Sequence, residues 1–127
     1  MLKVKQMQKR IEELRALVVS LDRQIDAALD RSDEAEADRM EADAKRLVDE
    51  ESDLQHILHY VRVCKQPKNE WFGQFVRSFK NDQYISDKQQ SIFDRYGNKT
   101  IVQGVVYSVY ERRVYITHLP EIWKEYA

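Results

Sequence analysis

The first 66 residues contain neither glycine nor proline, and their apolar residues recur at alternating steps of three and four. This spacing is typical of α-helices that pack together in a coiled coil. The alternation fails between Ala28 and Ala37, so one continuous helix would have to shift its apolar seam at that point. Two arrangements therefore compete: a single long helix, or two helices that fold back on each other.

Folding the chain back at Ser32–Asp33 removes this discontinuity. Each apolar position of the first run then faces an apolar position of the second, except that Leu14 faces Glu51. Either residue of the Ser32–Asp33 pair can act as the N-cap of the second helix, and the acidic residues that follow favour its first turn. We therefore expect residues 1–66 to form an antiparallel helical hairpin. The paired layers are Val4–Val61, Met7–Leu58, Ile11–Leu54, Leu14–Glu51, Val18–Leu47, Leu21–Ala44, Ile25–Met40 and Ala28–Ala37.

Two short helices are predicted at the start of the second half. Pro67 ends the long helix and Asn69 can cap the next one, which carries an aromatic stripe. Ser86 followed by Gln89 forms a capping box, and Gly97 stands where the second short helix should stop. In this arrangement the side chain of Gln89 can lie on the apolar side of its helix, because its amide reaches the backbone N–H of Ser86.

The stretch from residue 101 to 119 is rich in Val, Ile, Tyr and Thr, which favour β-strands. We expect strands at about 101–110 and 113–119, with the reversal at Glu111–Arg112, and a helical turn after Pro120. Residues 67–127 would thus form a small α+β module, and the whole fold is mainly α with a small β-hairpin. An isolated two-stranded hairpin is marginal in water, so we also expect a homo-oligomer that associates through this module.

The overall charge and the cysteine content limit the classes of function. The net charge of -1 gives no general attraction to nucleic acid or to a membrane. The single cysteine, Cys64, cannot form an internal disulfide, and the first residues lack the apolar core of a secretory signal, so a cytoplasmic location is expected. No apolar run is long enough to span a bilayer.

The sequence offers no motif for an enzyme or a cofactor. Glycine occurs only at positions 73, 97 and 104, so no phosphate-binding loop is present, and no nucleophile has a specified base. Asp53, His56 and His59 fall on one helix face at a spacing that could bind a metal, but the same histidines could instead cover a domain junction. We predict a non-enzymatic protein with no cofactor and no metal site.

The segment "WFGQFVRSFKNDQYISDKQQSIFDRY", Trp71–Tyr96, resembles a recurrent helical segment in proteins of phages and other mobile elements. The shared pattern is an aromatic and serine-containing helix, a short loop, and then Leu or Ile, Ser, an acidic residue, Lys, Gln and an apolar pair. The resemblance covers about a fifth of the chain and implies association with DNA-handling proteins, but the loop "NDQY" replaces the glycine that usually precedes this motif. The matching residues are Phe75, Ser78, Phe79, Ile85, Ser86, Lys88, Gln89 and Ile92.

Two functions are compatible with these features. The first is a phage or mobile-element accessory factor that binds and modulates a host or replication protein through the acidic end of the helical hairpin, although the same residues could form an ordinary solvated surface. The predicted partner-binding residues are Asp30, Asp33, Glu34 and Glu36.

The alternative is weak nucleic-acid binding by the C-terminal module. Its short helices resemble a helix-turn-helix, and basic residues and tyrosines on the strands could follow a single strand by charge and stacking. Against this, the tyrosines could form the core and the basic residues could simply keep the surface soluble. The predicted nucleic-acid-binding residues are Arg77, Lys80, Lys88, Arg95, Arg112 and Arg113.

Overall fold

The computed structural model describes residues 2–67, 69–97, 99–101 and 103–127. They form two compact units, one of Met1–Leu58 with Glu121–Ala127 and one of His59–Pro120. The division of the chain into a helical hairpin at 1–66 and an α+β module at 67–127 stays a prediction. No helix among the described residues is long and apolar enough to cross a membrane.

The first unit is an antiparallel helical hairpin, as the apolar spacing predicts. Helix α1 covers Val4–Asp30 and helix α2 begins at Glu34 and ends at Val63. The chain reverses through Ser32, whose φ of 57° is in the left-handed region. Asp33 is the residue that caps α2, since its Oδ1 accepts a hydrogen bond of 3.2 Å from the N–H of Glu36. A tight reversal therefore forms here without glycine.

The core of the hairpin contains most of the predicted layers. The last layer before the turn, Ala28 with Ala37, is almost completely buried and lies in one cluster with Ile25 and Met40. Ile57, which lies outside the predicted seam, is also buried. The other buried apolar residues of the two helices are Met7, Ile11, Leu14, Ala44 and Leu54.

The one discordant layer is explained by an ion pair between the helices. The carboxylate of Glu51 accepts a hydrogen bond of 2.6 Å from Nε of Arg15 on the facing helix, so the charge of Glu51 is paired. Beside this pair, Arg10 contacts both carboxylate oxygens of the neighbouring Glu50 at 3.0 and 3.1 Å. This two-pronged geometry is the strong form of an arginine–carboxylate contact, and it raises the pKa of Arg10.

The C-terminal segment, Glu121–Ala127, packs with the first unit. Helix α5, Trp123–Tyr126, packs against α1. The carbonyl of Tyr126 accepts a hydrogen bond of 2.8 Å from the N–H of Lys3. The two ends of the described chain are thus joined in one unit.

The second unit contains the two short helices that the sequence predicts. Helix α3 covers Glu70–Arg77, and the side chain of Asn69 caps it by accepting a hydrogen bond of 2.7 Å from the N–H of Phe72. Helix α4 covers Asp87–Tyr96 and carries a complete capping box. Oγ of Ser86 accepts from the N–H of Gln89 at 3.2 Å, and Oε1 of Gln89 accepts from the N–H of Ser86 at 2.9 Å.

The sheet has three strands rather than the two that the sequence predicts. Strands β2, Val105–Ser108, and β3, Arg113–Ile116, form the expected hairpin but are shorter than expected. The strand before Val105 cannot continue because Gly104 has a φ of 54° and turns the chain. The third strand is β1, Gln83–Tyr84, which lies in the predicted loop and pairs with β3, giving the order β1-β3-β2.

The core of the second unit lies between this sheet and helices α3 and α4. Val105 and Val114 point inward from the sheet, and the ring of Tyr107 stacks on Phe93 with their centroids 5.1 Å apart. Tyr107, a tyrosine of the predicted strands, is thus partly buried and packs against the core. The other buried members of this core are Phe72, Val76, Phe79 and Ile85.

Candidate functional site

The outer face of the sheet carries the exposed tyrosines of the second unit. Because side chains alternate along a strand, the residues next to the buried Val105 and Val114 point away from the core. Val106 is opposite Tyr115, and Arg113 lies between Ser108 and Tyr84 of the neighbouring strands. We call this set, Tyr84, Val106, Ser108, Arg113 and Tyr115, the tyrosine face.

The turn between β2 and β3 presents two more apolar side chains to solvent. We call Val109–Arg112 the hairpin tip. Val109 is 53% exposed and Tyr110 is 99% exposed, so Tyr110 makes almost no contact with the rest of the protein. Apolar residues are uncommon at such positions, where turns usually carry Gly, Asn, Asp or Ser. Tyr110 therefore has no evident role in the stability of the fold.

The hairpin tip is nevertheless fixed in place by hydrogen bonds. The carbonyl of Ser108 accepts a bond of 2.8 Å from the N–H of Arg112, and Oγ of Ser108 accepts one of 3.3 Å from the N–H of Glu111. Arg112 has a φ of 55°, so the turn closes in the left-handed region. The position of Tyr110 is thus defined by the backbone and does not depend on contacts of its own ring.

Arg112 connects the hairpin tip to the start of α4. Its guanidinium group pairs with the carboxylate of Asp87 and lies 5.7 Å from the centre of the Tyr84 ring. A further hydrogen bond of 3.4 Å runs from Nη2 to the carbonyl of Ile85. The bond to Asp87 raises the pKa of Arg112. Arg112 therefore acts within the protein as a brace, and its charge is already paired.

The other charged groups of the tyrosine face are paired in the same way. Arg113 donates a hydrogen bond of 2.9 Å to the carbonyl of Asp82, whose carboxylate lies 3.8 Å from the same nitrogen. The hydroxyl of Tyr115 donates to the carboxylate of Glu111, and this bond raises the pKa of Tyr115. Three carboxylates and two guanidinium groups thus surround the exposed tyrosines, so the face has no excess of positive charge.

The remaining basic residues predicted to contact nucleic acid lie on α3, on α4 and in the loop after α3. Arg77, Lys80, Lys88 and Arg95 are all exposed, and the guanidinium group of Arg95 lies 5.5 Å from the centre of the Tyr96 ring. Helices α3 and α4 are separated by residues 78–86, which include β1, whereas a helix-turn-helix uses a turn of about three or four residues. The helix-turn-helix geometry considered for these residues is therefore not formed.

The predicted acidic contact at the turn of the helical hairpin has two different parts. Asp33 serves as the helix cap, and both carboxylate oxygens of Glu36 contact Arg39. Asp30 and Glu34 are exposed. Half of the four predicted partner-binding residues thus contribute to local structure, and an acidic first turn is also what the helix dipole favours.

Trp71 lies at the edge of the aromatic core of the second unit and is 52% exposed. Its ring stacks on Phe75 with a centroid distance of 5.6 Å and meets Tyr96 edge-on at 5.9 Å. Because its ring contacts two other aromatic rings, Trp71 contributes to the packing of the core as well as to the surface. The Trp71 side chain is therefore less exposed and makes more contacts within the protein than Tyr110.

The histidines and the thiol of Cys64 are the side chains that metal or thiol chemistry would use. Within the described ranges, no group of three or more His, Cys, Asp or Glu side chains is arranged to hold a metal ion. Cys64 is half-buried, and burial raises the pKa of its thiol more than the nearby Lys99 lowers it. A raised thiol pKa reduces the thiolate fraction at neutral pH and makes Cys64 a poor nucleophile.

Comparison with known proteins adds no relative. No protein-family model, no curated protein and no solved structure matches this chain.

Tyr84 is the member of the tyrosine face that sequence reasoning missed. The tyrosine lies in "NDQY", which looks like a loop, and a strand of two residues leaves no alternating pattern to detect. Tyr110 and Tyr115 lie in the stretch predicted to form the β-hairpin, but their exposure depends on a register that the sequence does not define. The sequence signal for an unusual turn is that Val109–Arg112 contains no Gly, Asn, Asp or Ser.

Proposed function

We propose that the protein is a non-enzymatic binding protein that contacts another protein through the tyrosine face and the hairpin tip. The single observation that carries this proposal is Tyr110, a large aromatic side chain that is 99% exposed on a turn held by hydrogen bonds. Tyrosine is among the residues most enriched at the energetic centres of protein interfaces.

The fixed geometry of the tip favours binding. Association normally requires loops and side chains at the interface to be ordered, which reduces affinity. Here the bonds of Ser108 to Glu111 and Arg112, and the pairing of Arg112 with Asp87, already order the backbone around Tyr110. Only the Tyr110 ring itself has to be immobilised when a partner binds.

The electrostatics of the tyrosine face support a protein partner over a nucleic acid. A nucleic-acid site releases counterions by bringing unpaired Lys and Arg to the phosphates. Arg112 and Arg113 are held by Asp87 and Asp82, and Glu111 adds a third carboxylate. Apolar and aromatic side chains within a rim of paired charges are the usual composition of a protein interface.

The resemblance of Trp71–Tyr96 to segments of phage and mobile-element proteins extends the proposal. The protein would then be an accessory factor of such an element, and the partner would be a host or replication protein whose activity it modulates. Nucleic-acid binding by the exposed Arg77, Lys88 and Arg95 is the weaker alternative, since these residues leave the exposed tyrosines without a role.

The experiment is capture of partners from a lysate with the immobilised full chain, its Tyr110→Ala variant and a Leu29→Ala variant. Leu29 is also an exposed apolar residue, 49% accessible, but lies on α1 and is the matched control. We expect Tyr110→Ala to weaken capture by at least about tenfold, the loss typical of a hot-spot tyrosine, and Leu29→Ala to leave it unchanged. Nuclease treatment should have no effect.

Equal capture by all three chains would refute the role of the hairpin tip. Capture that nuclease abolishes would favour the nucleic-acid alternative.

A further inference from the structure

Strand β2 is at the edge of the sheet. Within the described part of the chain it pairs only with β3, so its other side carries no neighbouring strand. The unpaired backbone groups of an edge strand are a template for pairing with another strand. Proteins usually protect such an edge with charge, proline, a bulge or a very short strand.

Strand β2 contains neither charge nor proline, and its four residues make it twice as long as β1. The ten residues from Ile101 to Tyr110, which include β2, carry no charged side chain, although 34% of the whole chain is charged. The strand itself reads Val-Val-Tyr-Ser, with three residues of high β-propensity. An uncharged strand can meet a copy of itself in an antiparallel arrangement without repulsion between like charges.

The opposite edge of the sheet is protected. Strand β1 has only two residues, and the carboxylates of Asp82 and Asp87 lie on either side of it in the chain. The guanidinium group of Arg112 also lies over the ring of Tyr84 on this strand. Because only one edge of the sheet is open, pairing through β2 would stop at two copies and form a closed dimer.

We propose that a second copy of this chain binds to the edge of β2, so that two antiparallel β2 strands join the two sheets into one. In a pair of β-strands, residues that lie directly opposite each other have their side chains on the same side of the sheet. The two-fold axis therefore passes through one residue, which faces its own copy, and not between two residues. An axis at Val106 places Val105 opposite Tyr107 of the second copy, a favourable pair of β-branched and aromatic side chains. This inference is independent of the proposed partner at the hairpin tip.

The first test is sedimentation of the full chain over a range of concentrations, with the variants Val106→Lys and Tyr115→Lys. These two residues are opposite each other on the tyrosine face, but Val106 lies on the edge strand and Tyr115 on the central one. We expect the parent chain to dimerise. Val106→Lys brings two like charges together at the axis and should raise the dissociation constant by about tenfold or more, whereas Tyr115→Lys should leave it within about twofold.

A second test of the dimer does not depend on whether Val106→Lys folds. In a Cys64→Ala background, Val106→Cys should form an intermolecular disulfide on mild oxidation, since residues at the axis lie within disulfide distance. Ser108→Cys on the same face should not, because it faces position 104 of the second copy. A monomeric parent chain, a dimer that Val106→Lys does not weaken, or crosslinking at Ser108 but not at Val106 would overturn the proposal.

Discussion

A methyl group on Gly104 would lie 2.6 Å from Cε1 of Tyr60, and the φ of Gly104 is +54°. The position thus requires glycine for two reasons, the occupied space and the left-handed backbone. We expect Gly104→Ala to lower the free energy of unfolding by about 2–3 kcal/mol, from the strained backbone and the displaced ring together. Urea denaturation of the full chain measures this change.

Gly73→Ala is the matched control for Gly104→Ala. Gly73 lies inside α3, and a methyl group there would meet its nearest neighbour, Nη2 of Arg77, at 3.4 Å, which is an ordinary contact. Because alanine favours a helix more than glycine, this variant should be more stable by about 0.5–1 kcal/mol. Equal effects of the two substitutions would show that Tyr60 and the left-handed φ do not determine the result.

The capping box of α4 predicts a second difference between similar substitutions. Ser86→Ala removes the acceptor for the N–H of Gln89 and should destabilise the protein by about 1 kcal/mol. Ser91→Ala, inside the same helix, removes only a hydroxyl that donates to the carbonyl of Asp87, and should be neutral or slightly stabilising. Thermal unfolding followed by circular dichroism compares them, and a Ser86→Ala variant as stable as the parent would contradict the cap.

The core of the helical hairpin is tested at Leu54. This residue is completely buried, so Leu54→Ala leaves a cavity and should cost about 2–5 kcal/mol. Val48→Ala, on the same helix but 46% exposed, should change the stability by less than about 0.5 kcal/mol. Urea denaturation measures the free energy of unfolding of both variants. Similar losses of stability in the two variants would contradict the hairpin.

The bond between Tyr115 and Glu111 predicts a dependence on alkaline pH. Hydrogen bonding to the carboxylate raises the pKa of Tyr115 above its ordinary value of 10.0, because ionisation would break the bond. A raised folded-state pKa gives a stabilisation that is fully present below the unfolded pKa and is lost as the pH rises through the folded one. The stability of the parent chain should therefore fall with pH above about 10, more steeply than that of Tyr115→Phe.

Chemical denaturation at a series of alkaline pH values gives the slope of stability against pH for the parent chain and for Tyr115→Phe. Glu111→Gln, which removes the charged acceptor, should reduce the slope in the same direction as Tyr115→Phe. If the parent and Tyr115→Phe lost stability in parallel, the bond would contribute nothing to the folded state.

The sequence predicts those parts of the fold that local physical rules determine. The spacing of three and four in α1 and α2 indicates the hairpin because only one fold-back point places Ala28 opposite Ala37. The capping box is equally local, since Ser86 and Gln89 satisfy each other's backbone groups within one turn. In both cases the decisive residues are close in sequence or related by a regular repeat.

The parts that the sequence does not predict depend on contacts between distant residues. Strand β1 exists because Tyr84 pairs with Arg113, and a strand of two residues has no pattern of its own. The start of β2 depends on Gly104 turning against Tyr60, which belongs to another element. Of the charged residues, Arg112 and Arg113 appear free in the sequence, and only the folded positions of Asp87 and Asp82 show that they are paired.

The hydrogen bond between Lys3 and Tyr126 has a consequence for the order of folding during synthesis. The antiparallel contacts of α1 with α2 need only residues up to Leu58, so the hairpin can form while the rest of the chain is still being translated. The contact of Tyr126 with the start of α1 has to wait until the last turn of α5 leaves the ribosome. Of the two units, the first is therefore the earlier to begin folding and the later to be completed, with all of the second unit synthesised in between.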